Sequence, residues 1–208
     1  MIAIVDYGAG NLRSIKRAIE AGGARAEITA DPARVRGAQR VVLPGVGAAG
    51  AAMERLSESG MDGAVKEVAE RGRPLLGICL GMQLLFDHQE EGPTRGLNLL
   101  GGEVRALPPE RKVPHMGWNR VEFRSPSPLG SAGDGPFFYF VHSYYAHVER
   151  PSDIAAVTSY GLSFPSVIVR DNIWGTQFHP EKSGEGGLAL IRAWLRSGED
   201  DSVDRARP

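Results

Sequence analysis

Leu75-Leu76-Gly77-Ile78-Cys79-Leu80-Gly81-Met82-Gln83-Leu84-Leu85 is an apolar run that passes through Gly-x-Cys-x-Gly. Leu75–Ile78 reads as a buried strand and the stretch from Leu80 to Phe86 as a helix, so Cys79 falls at the turn between them. This has the form of a nucleophile elbow with sulfur in place of the serine oxygen. A residue at so tight a turn adopts a strained backbone, and the flanking glycines let neighbouring chain approach without a Cβ clash. The helix start would face the sulfur with free amides, which favour thiolate and can receive an oxyanion. A lone cysteine is most often a small buried hydrophobe; the two glycines and the strand–helix context reverse that reading.

Upstream of the elbow, strands and helices alternate. Ile2–Val5 is a short apolar run ending in the turn residues Asp6-Tyr7-Gly8-Ala9-Gly10. Leu12, Ile15, Ala18 and Ile19 then recur at helical spacing, and Gly22-Gly23 stops that helix. Ala24–Thr29 and Arg40–Leu43 read as strands, Ala48–Leu56 and Met61–Glu70 as helices. This alternation over about the first 90 residues predicts βαβ units and a mostly parallel sheet covered on both faces. Downstream the texture changes. Glu103–Leu107, Arg120–Phe123, Phe137–Phe140, Tyr144–Val148, Ala155–Ser159, Val167–Arg170 and Ile173–Gln177 are short strand-like runs separated by Gly, Pro and Ser, which predicts antiparallel additions at one edge. Gly187–Arg196 closes the pattern as a helix. One α/β domain over residues 1–198 is expected, with a charged, frayed tail over 199–208.

Composition narrows the function classes. The chain has 208 residues, 42% hydrophobic and 24% charged, with a formal net charge of −1. That is a globular balance with no basic field for a nucleic-acid backbone. No apolar run approaches the roughly 20 residues of a membrane span, and the N-terminus lacks the pattern of a secretory signal. A single cysteine forms no internal disulfide, so a reducing, cytoplasmic setting is expected.

A thiolate nucleophile needs a histidine in reach and a group to orient it. Of five histidines, His179 follows the apolar strand Ile173–Phe178 and precedes Pro180-Glu181. A histidine and a carboxylate at i and i+2 in extended chain point to the same side, and the proline excludes helix at His179. Glu181 would fix the imidazole tautomer. His-x-Glu taken alone is more often a surface pair. His142 is the main competitor, but it lies in an aromatic strand with no carboxylate close by in sequence, so packing or hydrogen bonding is its expected role.

Val41-Val42-Leu43-Pro44-Gly45-Val46-Gly47-Ala48-Ala49-Gly50 contains Gly-x-Gly-x-x-Gly between a strand and a helix, formally the dinucleotide fingerprint. It follows the third strand rather than the first, opens with a proline, and lacks an acidic strand-end residue at the expected distance. Amides of Gly45–Gly47 set opposite Cys79, completing an oxyanion hole, are the better use. A plain Gly-rich turn remains open.

Together, Pro44-Gly45-Val46-Gly47, Gly77-Ile78-Cys79-Leu80-Gly81-Met82-Gln83 and Gln177-Phe178-His179-Pro180-Glu181-Lys182-Ser183 resemble the class I glutamine amidotransferases. The motifs occur in family order across almost the whole chain. The resemblance implies a flavodoxin-like α/β sheet carrying a Cys79–His179–Glu181 triad, with Val46 and Leu80 giving the oxyanion amides. It implies Gly45, Gly47, Gln83, Glu91, Ser143 and Tyr144 around the glutamine, and no metal or cofactor. Asp6-Tyr7-Gly8-Ala9-Gly10-Asn11, Pro114-His115-Met116-Gly117-Trp118-Asn119 and His142-Ser143-Tyr144 further resemble the glutaminase subunits that serve imidazole glycerol phosphate synthesis in histidine biosynthesis. Ala49 stands where a phenylalanine is expected, a departure in packing rather than chemistry. That likeness implies docking on a (β/α)8-barrel cyclase that receives the ammonia, with Asn11, Pro114, Met116, Trp118 and Lys182 at or near the interface. The rival expectations are a glutaminase serving another synthase (pyridoxal phosphate or anthranilate) and a dinucleotide-binding protein using Gly45–Gly50.

Overall fold

A computed structural model of the chain describes residues 1–124 and 135–197; the tail expected over 199–208 lies outside them. In chain order the elements are β1 (Ile2–Val5), α1 (Leu12–Ala21), β2 (Ala26–Thr29), α2 (Pro32–Gly37), β3 (Arg40–Leu43), α3 (Ala49–Glu58), α4 (Met61–Glu70), β4 (Leu75–Ile78) and α5 (Leu80–Gln83). There follow β5 (Phe86–Gln89), β6 (Leu100–Ala106), β7 (His115–Arg120), β8 (Glu122–Phe123), β9 (Phe137–His142) and β10 (Tyr144–Val148). The last are β11 (Ile154–Ser159), β12 (Ser163–Arg170), β13 (Ile173–Thr176) and α6 (Gly184–Arg196).

The main sheet runs β2-β1-β3-β4-β13-β12-β11-β8. Its first five strands are parallel to one another, and the pairings from β13 outward to β8 are antiparallel. Each parallel strand sends alternate side chains to opposite faces. Ala3, Val5, Val41, Leu43 and Leu75 pack with α2, α3 and α4. Ile2, Ile4, Val42, Leu76 and Ile78 pack with Ile15 and Ile19 of α1 and with Ile191 and Trp194 of α6. Helices therefore cover both faces, as the near-continuous apolar strands require. The β2-β1-β3-β4 order places the carboxyl ends of β3, β4 and β13 along one edge, where open α/β sheets build their sites.

The expected fold class stands, and the structure refines its outer part. Antiparallel strands β12, β11 and β8 do extend one edge, around a core of Phe123, Phe138, Phe140, Phe164 and Phe178. The remaining later strands form two further sheets, β10-β6-β5 and the ribbon β7-β9. The helix expected from Leu80 to Phe86 is only four residues long. The amides of Leu97, Leu99 and Leu100 bond the carbonyls of Leu84 and Leu85, which draws the chain out of the helix and into β5. Among the described residues no helix is long and apolar enough to cross a membrane.

Candidate active site

Cys79 sits where β4 ends and α5 begins, with φ 55° and ψ −112°. For a residue with a Cβ this backbone costs about 1–3 kcal/mol, so its surroundings must enforce it. They do so on both sides. Its amide donates to Thr176 O at 2.7 Å, and its carbonyl accepts from Met82 and Gln83 at 3.0 and 3.1 Å. Those bonds leave the amides of Leu80 and Gly81 in the first helical turn, where no intrahelical acceptor exists. Gly81 is required by contact: a Cβ there would lie 1.9 Å from Leu43 O. The elbow is thus pressed against the end of β3, and Cys79 is 5% exposed.

His179 arrives from β13 on the adjacent strand end. It is 2% exposed, and its amide donates to Tyr139 O of β9 at 2.9 Å. Nδ1 lies 2.9 Å from Glu181 Oε1, and both side chains are almost fully enclosed. A short 3-10 turn over Pro180–Lys182 holds the pair on one side of the chain. The Ser183 hydroxyl braces it, donating to His179 O and accepting from the Tyr139 amide. Nε2 makes no hydrogen bond within normal distance, so it is the nitrogen open toward the sulfur. Burial pushes the imidazole pKa down, but Cys79 and Glu181 outweigh it and hold the pKa at about 9. His179 therefore keeps its proton well above the pH at which a free imidazole loses it.

The loop after β3 reaches the elbow from the other side. Gly45 is buried against α5: a Cβ there would meet Gly81 N at 2.7 Å, Leu80 Cβ at 2.9 Å and the Tyr7 hydroxyl at 2.9 Å. The Tyr7 hydroxyl donates to Pro44 O at 3.0 Å. Beyond Gly45 the loop turns outward, with Gly47 at φ +92° and Val46 44% exposed. The Ala49 amide, at the start of α3, donates to the Glu91 carboxylate at 2.7 Å. The helix start that would take a pyrophosphate already holds a carboxylate, and the space beside Gly45 is filled. The dinucleotide reading of this loop does not fit.

These pieces surround one cleft of about 330 Å³, lined by Val46, Gly47, Cys79, Leu80, Gln83, Glu91, Pro114, Val141, His142, Ser143 and Tyr144. Nine site residues marked in the sequence line it, Pro114 among them, which was expected at a protein interface. Gly45 packs beneath it. Met116 and Trp118 stand out from β7 and are 62% and 57% exposed. Lys182 lies over the Tyr139 ring, which meets Trp118 edge-on. Asn11 is exposed at the start of α1 and makes no side-chain cap. His142 is placed as expected: its Nδ1 bonds Tyr144 O at 2.8 Å, and burial pushes its pKa down to about 3. That makes it a poor general base at neutral pH.

Sequence reasoning missed Gln177 and Tyr7. Gln177 is fully buried and its Nε2 lies 3.8 Å from Cys79 Sγ. A glutamine at the inner end of an otherwise apolar strand is a readable signal, since a buried amide demands partners.

The glutamine amidotransferase class-I family model matches residues 3–196. The imidazole glycerol phosphate synthase subunit HisH of Moorella thermoacetica is 52% identical over 194 residues, covering 92% of each chain. The corresponding subunit of Dehalococcoides mccartyi is 48% identical and covers 94% of this chain and 97% of its own. A solved structure described as a glutamine amidotransferase superposes with a TM-score of 0.76 over 94% of this chain and 98% of that one, at 21% identity. With its elbow cysteine, its His–Glu pair and that match along nearly its whole length, the chain belongs to the class I glutamine amidotransferases.

Proposed function

We propose that this chain is the glutamine-hydrolysing subunit of an imidazole glycerol phosphate synthase, and that Cys79, His179 and Glu181 are its catalytic residues. The observation that carries the chemistry is the convergence of three strand ends on one cleft. The elbow at Cys79 and the Gly45–Gly47 loop border it, and the His179–Glu181 pair is buried behind the sulfur at the adjacent strand end. The 52% and 48% identity to subunits of that synthase supports the choice of pathway.

The mechanism follows from the groups present. His179 holds the proton taken from Cys79, and the thiolate attacks the side-chain carbonyl carbon of glutamine. The carbonyl π electrons move to oxygen, which the amides of Leu80 and Val46 receive. Collapse of that intermediate breaks the C–N bond while His179 gives its proton to the leaving ammonia. A glutamyl thioester remains. Water, deprotonated by His179, adds to the thioester and expels the thiolate, releasing glutamate. Glu181 keeps Nδ1–H fixed so that Nε2 faces the reaction.

The pocket chemistry suits an amino acid's backbone end. Gln83 donates both its N–H groups inward, to Tyr144 O at 2.8 Å and Gln177 Oε1 at 3.1 Å. Its free group is the amide oxygen, and Glu91 likewise offers carboxylate oxygen. Both are acceptors, matched to the α-ammonium of glutamine, while Ser143 and Tyr144 form the far wall. Ammonia is passed to a (β/α)8-barrel cyclase that docks on Pro114, Met116, Trp118, Asn11 and Lys182. Docking sets the exposed Val46 segment in place, which prevents idle hydrolysis.

The test adds the cyclase and its ligand to wild type and to Cys79→Ala and measures glutamate. Wild type is expected to release glutamate and the variant none. Equal release from both overturns the mechanism. If the isolated chain hydrolyses glutamine as fast as the ligand-loaded complex, the gating role of Val46 is wrong.

A further inference from the structure

We propose that Gln177 is a positioning residue for the Cys79 sulfur, and that a hydrogen-bond line beginning at Asn119 on β7, which meets the Gln83–Gln177 pair at the shared acceptor Tyr144 O, aims its amide. The proposal rests on the reading of Cys79 as the nucleophile.

The argument is one of donors and acceptors whose roles are fixed at both ends by backbone groups. At the inner end, Tyr144 O can only accept. The Gln83 atom 2.8 Å away must then be its NH2 group. That group's second hydrogen points to the Gln177 side chain at 3.1 Å, so the facing atom is Oε1. The Gln177 NH2 is left facing Cys79 Sγ at 3.8 Å. The thiol itself is within reach of Val141 O at 3.7 Å. A thiol can donate to that carbonyl; a thiolate cannot, and then Gln177 is the neutral donor that remains beside it.

Tyr144 O also fixes the outer half. His142 Nδ1 lies 2.8 Å from it and must carry a hydrogen. In a neutral ring, Nε2 is then an acceptor, so His115 Nδ1, 2.9 Å away, must be the donor. His115 Nε2 is left as an acceptor for the Asn119 NH2 at 3.2 Å. The assignment closes independently at Asn119. Its NH2 also donates to Ser159 O at 3.1 Å, and its oxygen accepts from the Arg120 amide at 2.8 Å. A proton added to either imidazole would set donor against donor, and burial pushes both rings well below the usual histidine range. The ring of His115 is clamped between Tyr160 and Phe140, with centroids 4.0 and 4.9 Å away, so it cannot turn to escape.

The line runs through a strand with two different faces. His115 and Asn119 point inward, while Met116 and Trp118 between them are exposed. Anything that shifts β7 therefore acts on Tyr144 O, the acceptor shared by His142 and Gln83, and through Gln83 on the amide beside the sulfur. The titratable groups around that sulfur are His179 with Glu181, Tyr7 and His142.

Because Cys79 is the one cysteine of the chain, alkylation by iodoacetamide reads its thiolate alone, with Cys79→Ala as the blank and no partner required. Gln177→Glu keeps the shape and still accepts from Gln83, but presents oxygen to the sulfur. Gln177→Met removes the donor without adding charge. The expected result is a rate about tenfold lower at neutral pH for Gln177→Glu and about threefold lower for Gln177→Met, charged partners being the stronger effect. In both, the rate–pH profile moves to higher pH. In the glutaminase assay kcat falls with KM unchanged. In parallel, nitrogen-15 spectra of the imidazoles are expected to show His115 and His142 as neutral Nδ1–H tautomers from about pH 5 to about pH 9. Wild-type profiles in both Gln177 variants, or a fall in Gln177→Glu alone, overturn the positioning role. A titrating ring, or an Nε2–H tautomer in either histidine, overturns the line. Neither result depends on whether wild type hydrolyses glutamine, so a failure of the glutaminase reading is seen separately.

Discussion

The inner wall of the cleft and its outer rim are built to opposite standards. Cys79 and His179 are 5% and 2% exposed, and each is held by backbone bonds to a neighbouring strand. Val46, on the rim, is 44% exposed, and Met116 and Trp118 beyond it on β7 are more exposed still. These two groups, the proposed nucleophile and base, are preassembled inside a packed interior, where alternative arrangements are costly. The rim has no such constraint. On the proposed roles, a fold that fixes its nucleophile and base and leaves the oxyanion loop at the surface places control of the reaction where another protein can reach it. Val46 is thus the point at which the two standards meet.

Breaking the inner wall should produce the largest effects. His179→Asn is expected to lower glutamate release by the reconstituted complex about 10⁴-fold, the scale of losing a triad member. The same variant reads a stability linkage. The folded-state pKa of His179 is raised from 6.5 to about 9. A raised pKa stabilises the folded protein fully below the unfolded value and is lost as pH rises through the folded one. The Tm gap between wild type and His179→Asn should therefore narrow between pH 6.5 and about 9. A gap that widens over that window would contradict the pairing of His179 with Cys79 and Glu181.

Gly81→Ala attacks the same wall through packing. Its Cβ would fall 1.9 Å from Leu43 O, so α5 must move away from β3. A loss of about 1–3 kcal/mol is expected, read as a fall in Tm of about 3–10 °C. An unchanged Tm would mean the elbow is not pressed against β3. The rim should answer differently. Trp118→Ala is expected to weaken binding to the cyclase about tenfold or more while leaving Tm within about 1 °C, since an exposed aromatic contributes to an interface and not to the core. Calorimetric titration with the partner checks the first part and thermal melts the second.

The same contrast governs what could be read in the sequence. The parallel half was legible because its elements are local: Ile15 and Ile19 at helical spacing, and strands apolar on both faces, need no distant partner to declare themselves. The residues of the proposed triad were legible because Cys79 carries its glycines and His179 its Glu181 within a few residues. Local signals were also overlooked. Asp31 accepts from Ala33 N just before Pro32 and caps α2, a start signal present in the residues. The end of α5 was not readable, because it is set by amides of Leu97, Leu99 and Leu100 that are remote in sequence. Gln177 and the His115–His142 contact were illegible for the same reason. Hydrogen bonds between residues 27 or 98 positions apart leave no periodic trace.

Tyr7→Phe tests the joint between wall and rim, with the smallest expected effect. The Tyr7 hydroxyl is buried and donates to the carbonyl of Pro44, two residues before Val46. Burial, together with the nearby sulfur, holds its pKa above the ordinary phenol value, so it acts as a donor at any working pH. Removing the hydroxyl forfeits one buried hydrogen bond, about 1 kcal/mol, which corresponds to about 2–4 °C of Tm for a domain of this size. Cys79 keeps its strand bonds, its histidine and Gln177 in the variant. Alkylation of the sulfur should therefore retain the wild-type rate and pH profile while the melt shifts. If alkylation changes along with Tm, the loop and the nucleophile are mechanically one unit, and a partner acting on Val46 would tune the sulfur itself as well as the oxyanion amides.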